Sequence, residues 1–556
     1  LAEEFAHIYV FNLRGNQRTA GDLSRREGGK VFGAGSRATV AVTFLVKDPA
    51  HTGPAAVHYR DVGDYLSRED KLAIVAGSRI EDIDWEDLAP NEAGDWINQR
   101  DPRYAIWQSV GEGTSAIFSS YTAGVQTNRD AWVYSYSLDT LHDSCQRLIG
   151  TYNAERERLH RQYTGTRLTE KSVRELVTTD ETQIKWTRDL YNSAAKNRLI
   201  RYDAGATYLG MYRPFCKQWL NASDGIIYLP AVLRRYFPTP AHDNLGFYIV
   251  SSGSDVPFSV LVTDLVPNLH VTGAGSGGQF FPRWTWEKVS GRHAAEDGGF
   301  NLDALTETPG EAGSAVETEG EVIGDYRRVD NITDATLNAY RAAYGPEVEK
   351  ADVFYYVYGL LHHPEYRSRY AADLKKSLPR IPLVAAREDF TALATAGRAL
   401  ADLHLDYEEV EPWPLTLTVD GVEVPWAERT GLDPALLRVE KMRYARTRID
   451  GKMAADTTSI VYNEHVTVSG IPEQAQDYLL GSRSALDWLL DRYQVKTDKA
   501  SGIVNDPNDW MAESAGAEPG IPAQPLYLLD LIARVTTLSV CTQQIVADLP
   551  PLEVRD

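Results

Sequence analysis

The chain has 556 residues, with 57 Lys plus Arg against 78 Asp plus Glu, for a formal net charge of -21. At about 100 to 200 residues per domain its length predicts three or four compact units, and 43% apolar residues with 10% aromatics exclude disorder of the whole. No apolar run approaches the roughly 20 residues that span a bilayer, and three scattered cysteines, Cys145, Cys216 and Cys541, support neither a disulfide framework nor a cysteine metal site, which favours a reducing cytoplasm.

The chain opens Leu1-Ala2-Glu3-Glu4-Phe5 without an initiator Met or a signal-type segment, and is expected to be the carboxyl-terminal piece of something longer. His7 to Leu13, Thr39 to Val46 and Val57 to Val62 read as strands, the second as one covered on both sides. Between the first two lies Arg14 to Arg37, with six bases, two acids, six glycines and no apolar periodicity, which reads as a basic loop. Three strands in so short a stretch suggest the closing edge of an open α/β sheet whose other strands precede Leu1.

Charge then alternates along the chain. Arg60 to Asp101 holds 12 acids and 5 bases, whereas Tyr121 to Pro240 holds 12 acids and 17 bases. Trp286 to Lys350, with 14 acids and 6 bases, reads as a solvated linker or insertion, most open over Glu307 to Gly324. Arg367 to Arg387 is a second basic cluster, with six bases and one acid. Such islands can bind a polyanion whatever the total charge, because the local field decides contact; they serve equally as solvated helix faces.

The helical segments are Asp139 to Gln162, capped by Ser137 or Asp139, and Thr169 to Arg198. On the second, Lys185, Arg188 and Lys196 fall on one face with Asn192, followed by Arg198 and Arg201, as a solvated stripe or a phosphate-binding one. Strands follow at Asn244 to Val250 and Phe258 to Leu265, then helices at Glu365 to Leu378 and Ala385 to Leu405. Leu415 to Val424 is a hairpin around Asp420-Gly421. Strands lie within Arg438 to Ser469, and helices over Ser482 to Tyr493 and Tyr527 to Ile545 close the chain.

Catalytic motifs are missing. Gly33-Ala34-Gly35-Ser36 precedes a strand, whereas a nucleotide-binding glycine loop follows one and opens a helix. His362, His363, Glu365 and His404 lack metal-ligand spacing. Thr127-Asn128-Arg129 places hydrogen-bonding side chains before an aromatic strand; Asn and Arg pair bidentately with adenine and guanine edges. The plainer reading is a turn in which Asn128 and Asp130 bond the local backbone.

Several of these segments together resemble the carboxyl-terminal part of Type ISP restriction-modification enzymes. They are Phe11-Asn12-Leu13-Arg14-Gly15-Asn16, His58-Tyr59-Arg60-Asp61-Val62-Gly63-Asp64-Tyr65, Gly94 to Arg100 and Thr127 to Tyr134. Tyr212-Arg213-Pro214-Phe215, Tyr355 to Leu361, Leu378 to Pro382, Gln494 to Lys499 and Asn505 to Trp510 extend the likeness to the end. Family members join a nuclease, a helicase-like ATPase, a coupler, an adenine methyltransferase and a target-recognition domain in one polypeptide.

The resemblance implies an α/β fold followed by α+β: closing strands of a Rossmann-like methyltransferase sheet over 1–115, then a mixed helical and β target-recognition region. That region is expected over 116–285 and 351–556, around an acidic linker or insertion at 286–350. The family's Asn-Pro-Pro-Tyr tetrapeptide is missing here. No catalytic residue, metal or cofactor is therefore expected in this chain, with S-adenosylmethionine held by the intact enzyme. The implied partners are double-stranded DNA and the upstream methyltransferase, ATPase and nuclease domains, with no membrane. Implied DNA contacts are Arg14, Arg18 and Arg37 in the first loop, Thr127, Asn128 and Arg129 at the start of target recognition, and Lys185, Arg188, Lys196, Arg198, Arg213 and Lys217 for phosphates. The alternative is a scaffolding module that kept the fold without binding DNA.

Overall fold

The computed structural model describes residues 1–17, 21–32, 37–254, 256–273, 277–289, 320–449, 452–511 and 521–555. Arg18, the Gly33 to Ser36 glycine run and most of the stretch Glu307 to Gly324 lie outside the described residues.

The first three expected strands form, as His7–Asn12, Ala41–Val46 and Ala56–Asp61. With Glu86–Leu88 they make a four-stranded mixed sheet. His7–Asn12 lies between Ala41–Val46, antiparallel, and Ala56–Asp61, parallel. Two expectations are corrected here. The loop Arg14 to Arg37 contains a helix, Gly21–Glu27, whose end is held by Lys71: its buried ammonium donates to the Glu27 and Gly29 carbonyls at 2.6 and 2.9 Å. The strand Ala41–Val46 is not covered on both sides: Phe44, Leu45 and Val46 are all more than two-fifths exposed. This unit is tied to the rest of the chain through Asp95, whose carboxylate takes Arg100 at 2.7 Å and the ammonium of Lys376.

Beyond residue 100 the fold mixes helices with several small sheets. One is antiparallel, in the order Val260–Thr263, Gly246–Val250, Gly278–Pro282 and Thr122–Ala123. A second runs Val266–Pro267, Thr207–Arg213, Cys216–Asn221 and Tyr134–Ser135. The expected helix over Asp139 to Gln162 is Leu138–Gln162, with Ser137 as its cap.

The single helix expected over Thr169 to Arg198 is instead two, Glu170–Leu176 and Arg188–Ala195. Val177, Thr178 and Thr179 are β-branched and disfavour helix, and the Asp180 carboxylate accepts from the Thr182 amide at 2.9 Å and hydroxyl at 2.6 Å, which competes with it. The acidic stretch 286–350 is folded at its described ends. Trp284–Lys288 pairs antiparallel with Tyr326–Asp330, and the helix Asp334–Tyr344 buries Tyr340 and Tyr344 against Phe390. One apolar core accordingly joins Tyr104 and Phe118 to residues between Tyr340 and Ala401.

The aromatic run near 355 is a buried helix, Lys350–His362, packed on Arg387–Leu405. Glycines allow the close approach: a Cβ on Gly397 would stand 1.9 Å from the Tyr355 carbonyl oxygen. Gly397→Ala is expected to cost about 1–3 kcal/mol as the helices are forced apart, read as a lowered urea midpoint.

The Asp420-Gly421 hairpin forms as expected, with both residues left-handed at φ 47° and 83°. Its strands, Thr416–Val419 and Val422–Val424, join a five-stranded sheet with Val466–Ser469, Lys452–Val461 and Arg443–Ile449. Among the described residues no helix is long and apolar enough to cross a membrane.

Candidate nucleic-acid interface

Two adjoining clefts, of about 300 and 330 Å³, meet at Asp130, Ala131 and Asp498. One wall is the turn from Gln126 to Trp132. The other is a hairpin of Lys496–Thr497 and Val504–Asn505, whose turn is closed by the Asp498 amide on the Ile503 carbonyl at 2.9 Å. Tyr134, Tyr136 and Tyr212 line the second cleft with Gln218, Gln494 and Asn505.

The turn is built from within. Asn128 is left-handed at φ 56°, a conformation asparagine tolerates, and its side chain is exposed, with Oδ1 accepting from Gln126 Nε2 at 2.9 Å. Thr127 is buried, its hydroxyl bonded to the Asp130 carboxylate and accepting the Arg129 amide at 3.1 Å. Asp130 also accepts from the Tyr212 hydroxyl at 3.2 Å. The Arg129 guanidinium is fully buried. It donates to the Ile226 carbonyl at 2.6 Å and to both carboxylate oxygens of Asp189 at 3.1 Å, and also bonds the Thr187 hydroxyl. Burial pulls its pKa down against the opposing pull of Asp189. Arg129 thus holds the turn from behind and is not presented at the surface where a base edge would meet it.

The hairpin wall is anchored by Asn505. Its Oδ1 accepts the Tyr136 amide at 3.0 Å, and its Nδ2 donates to Gln218 Oε1 at 3.3 Å. Partial desolvation, and then the neighbouring Arg492, depress the pKa of the surface residue Lys496, whose ammonium reaches the Asp491 carbonyl at 3.0 Å. Lys185 lies on the same cleft as Asn128, is exposed, and feels the charge of Asp498.

The other expected contacts are dispersed. Arg213 is buried behind Tyr212, its guanidinium carbon 4.1 Å from that ring's centre and its Nη1 3.1 Å from Asn268 Oδ1. Lys217 faces away, paired with Glu408 at 2.8 Å. With the helix broken, Lys185, Arg188, Lys196 and Arg198 share no helical face. Arg188 is exposed but paired with Glu170 at 3.3 Å, Arg198 pairs with Asp224 at 2.5 Å, and Lys196 is exposed at its helix end. Arg14 pairs with Asp61 at 2.7 Å and with Asp64, and Arg37 donates to the Gln17 carbonyl at 2.8 Å, both on the amino-terminal unit. Thus Asn128 and Lys185 line the cleft, joined there by Gln218, Gln494, Lys496 and Asn505, to which residue types alone assign no role. Their signal was the polar run Gln494 to Lys499 ahead of Asn505.

Among curated proteins none matches the chain. Three solved structures are similar over 99–100% of it. A nuclease-deletion mutant of the Type ISP restriction-modification enzyme LlaGI, in complex with a DNA substrate mimic, is 35% identical with a TM-score of 0.77. The ATP-dependent Type ISP enzyme LlaBIII bound to DNA is 28% identical with a TM-score of 0.74, and a DrdV–DNA complex is 28% identical with a TM-score of 0.72. The chain spans 44%, 31% and 48% of those three, less than half the length of each. Residues 116–531 match the family described as the Type ISP C-terminal specificity domain, and the chain belongs to that family.

Proposed function

We propose that this chain selects a particular double-stranded DNA sequence on behalf of an adenine-specific methyltransferase and restriction enzyme of Type ISP. The observation that carries the reading is the double cleft between the Gln126 to Trp132 turn and the Lys496 to Asn505 hairpin. It offers exposed Asn128, Lys185 and Lys496 beside a tyrosine floor on a scaffold whose relatives were solved with DNA. Cations set register on phosphates and the amide side chains read base edges. Arg129, Arg213 and Asp130 are positioning residues in this reading, because each is spent holding the cleft.

The chemistry belongs to residues outside this chain. The uncovered apolar side chains Phe44, Leu45 and Val46 support further strands or helices of a Rossmann-like methyltransferase body packing on the amino-terminal sheet. The described ends of these strands support a reading in which S-adenosylmethionine is held elsewhere in the intact enzyme. Their polar groups satisfy one another, Arg14 with Asp61 and Asp64, and the Asn12 amide with Asp61 and Tyr59 at 3.1 Å.

The test is binding of a labelled duplex of mixed sequence across a salt series. Lys185→Glu with Lys496→Glu is expected to weaken every duplex at least tenfold. It is also expected to cut the slope of log affinity on log salt by roughly 2, about 0.9 for each lost phosphate contact. Unchanged affinity overturns the placement of DNA in the cleft; a wild-type chain that binds no duplex at low salt favours the scaffold.

A further inference from the structure

The arginines expected to meet DNA are mostly neutralised at home, yet one surface carries arginines that are not. From Lys441 to Asp456 the chain holds five bases and two acids. Arg443, Arg446 and Arg448 are exposed, and none has a hydrogen-bond or ion-pair partner among the described residues. They lie on the strand Arg443–Ile449, paired antiparallel with Lys452–Val461.

This pair leaves the sheet that bears it. The neighbouring strand Val466–Ser469 reaches its partner only at Ser459 to Val461, so the pairs from Ala445/Asp456 to Ile449/Lys452 form a free two-stranded ribbon. At about 3.4 Å per residue those five pairs extend it by roughly 17 Å. The register irregularity between Tyr444 and Ala445 marks where it departs. Tyr444 anchors the root, packed on the core with its hydroxyl 3.0 Å from Gln476 Oε1.

Opposed residues share a face, so Arg446 with Ala455 and Arg448 with Met453 point one way, while Ala445 with Asp456 and Thr447 with Ala454 point the other. Arg446 and Arg448 thus stand on one face, clear of Asp456, whose carboxylate is in any case taken by the Thr458 amide at 3.1 Å and hydroxyl at 2.6 Å. Small partners keep the ribbon slim. Among its described residues none from Ala445 to Arg448 or from Met453 to Asp456 is buried, so the ordering of its backbone is not offset by a core of its own. Its root adjoins the cleft: the Val495 amide donates to the Glu440 carbonyl at 3.0 Å, and Lys441 bridges to Gln494, which lines the cleft.

We propose that this ribbon enters the major groove of duplex DNA with the Arg446 and Arg448 face toward the base edges. The inference rests on the double-stranded DNA reading above. A major groove about 12 Å wide admits a two-stranded ribbon. Two residues along a strand span about 6.8 Å, close to two base-pair steps of about 3.4 Å each, so the two side chains meet bases in one register. Guanine is the base whose major-groove acceptors suit arginine.

The test uses the full chain and a pool of duplexes with a randomised centre, from which wild-type protein selects a bound set. On that set Arg446→Ala/Arg448→Ala is expected to lose roughly 100-fold in affinity, about tenfold or more per bidentate arginine. Under dimethyl sulfate, guanine N7 positions protected by the wild type are expected to become reactive in the variant, while adenine N3 in the minor groove is unaffected. Arg446→Lys/Arg448→Lys keeps the charge without the fork, and is expected to bind mixed duplexes normally while losing preference for the selected set. Selected duplexes bound equally by wild type and the Ala variant, or protection changing at adenine N3 alone, overturn the ribbon and leave the cleft reading intact. A wild type that selects no duplex overturns both.

Discussion

Arg129→Met is expected to destabilise the chain by about 3–5 kcal/mol, the range for removing one partner of a buried ion pair. The guanidinium has no exposed surface, and its loss strands the Ile226 carbonyl and leaves the Asp189 carboxylate with the Thr187 hydroxyl in place of its counter-charge. Asp189 is 22% exposed and keeps some hydration, which places the loss toward the lower end. Urea unfolding measures it. Adding Asp189→Asn is expected to recover about 1–3 kcal/mol, since the paired variant no longer buries a lone carboxylate; strict additivity of the two losses breaks the assigned pairing. On DNA the same substitution separates positioning from readout. A clamp behind the turn lowers affinity alike for every sequence, whereas a loss confined to selected duplexes returns Arg129 to a base edge.

Arg129 also marks where sequence stops being informative. Residue type singles out the arginine after Thr127-Asn128, but the direction of its side chain depends on Asp189, 60 positions away. The long helix fails for a local reason: apolar spacing over Thr169 to Arg198 is helical, while Val177 to Asp180 prefers extended and side-chain-bonded backbone. Hairpin chemistry at Asp420-Gly421, the cap at Ser137 and the first three strands are legible because short-range sterics and alternation decide them. The bare ribbon is the harder case. Its alternation marks it as strand, but only the sheet topology reveals that, among the described residues, no third strand pairs with it and its arginines have no acidic partner.

Acidification from pH 6.5 to 4 is expected to remove about 3 kcal/mol of stability through His362 alone. His362 is buried, with Nδ1 2.9 Å from the Tyr358 carbonyl and Nε2 without a partner among the described residues. Burial, with a smaller repulsion from Arg367, lowers its pKa from 6.5 to about 4. His404 lies beside it, ring centres 5.7 Å apart, its nitrogens 2.7 Å from the Tyr358 hydroxyl and 2.9 Å from that of Thr542; burial holds it well below the usual histidine value. A depressed folded-state pKa means that the unfolded chain binds the extra proton between 4 and 6.5, so stability is full above that window and falls as pH drops through it. Carboxylates held low, such as Asp95 between Arg100 and Lys376, act chiefly below the ordinary carboxylate pKa, while Asp264, Asp373 and Asp509, raised by burial, oppose the trend and are common to wild type and variant. His465 beside Asp420 shifts upward and opposes the trend, but it is exposed and screened. Urea midpoints across this range for wild type and His362→Phe decide the matter: the variant is expected to keep only the shallower slope from His404, and an equally steep wild-type and variant profile removes His362 from the linkage.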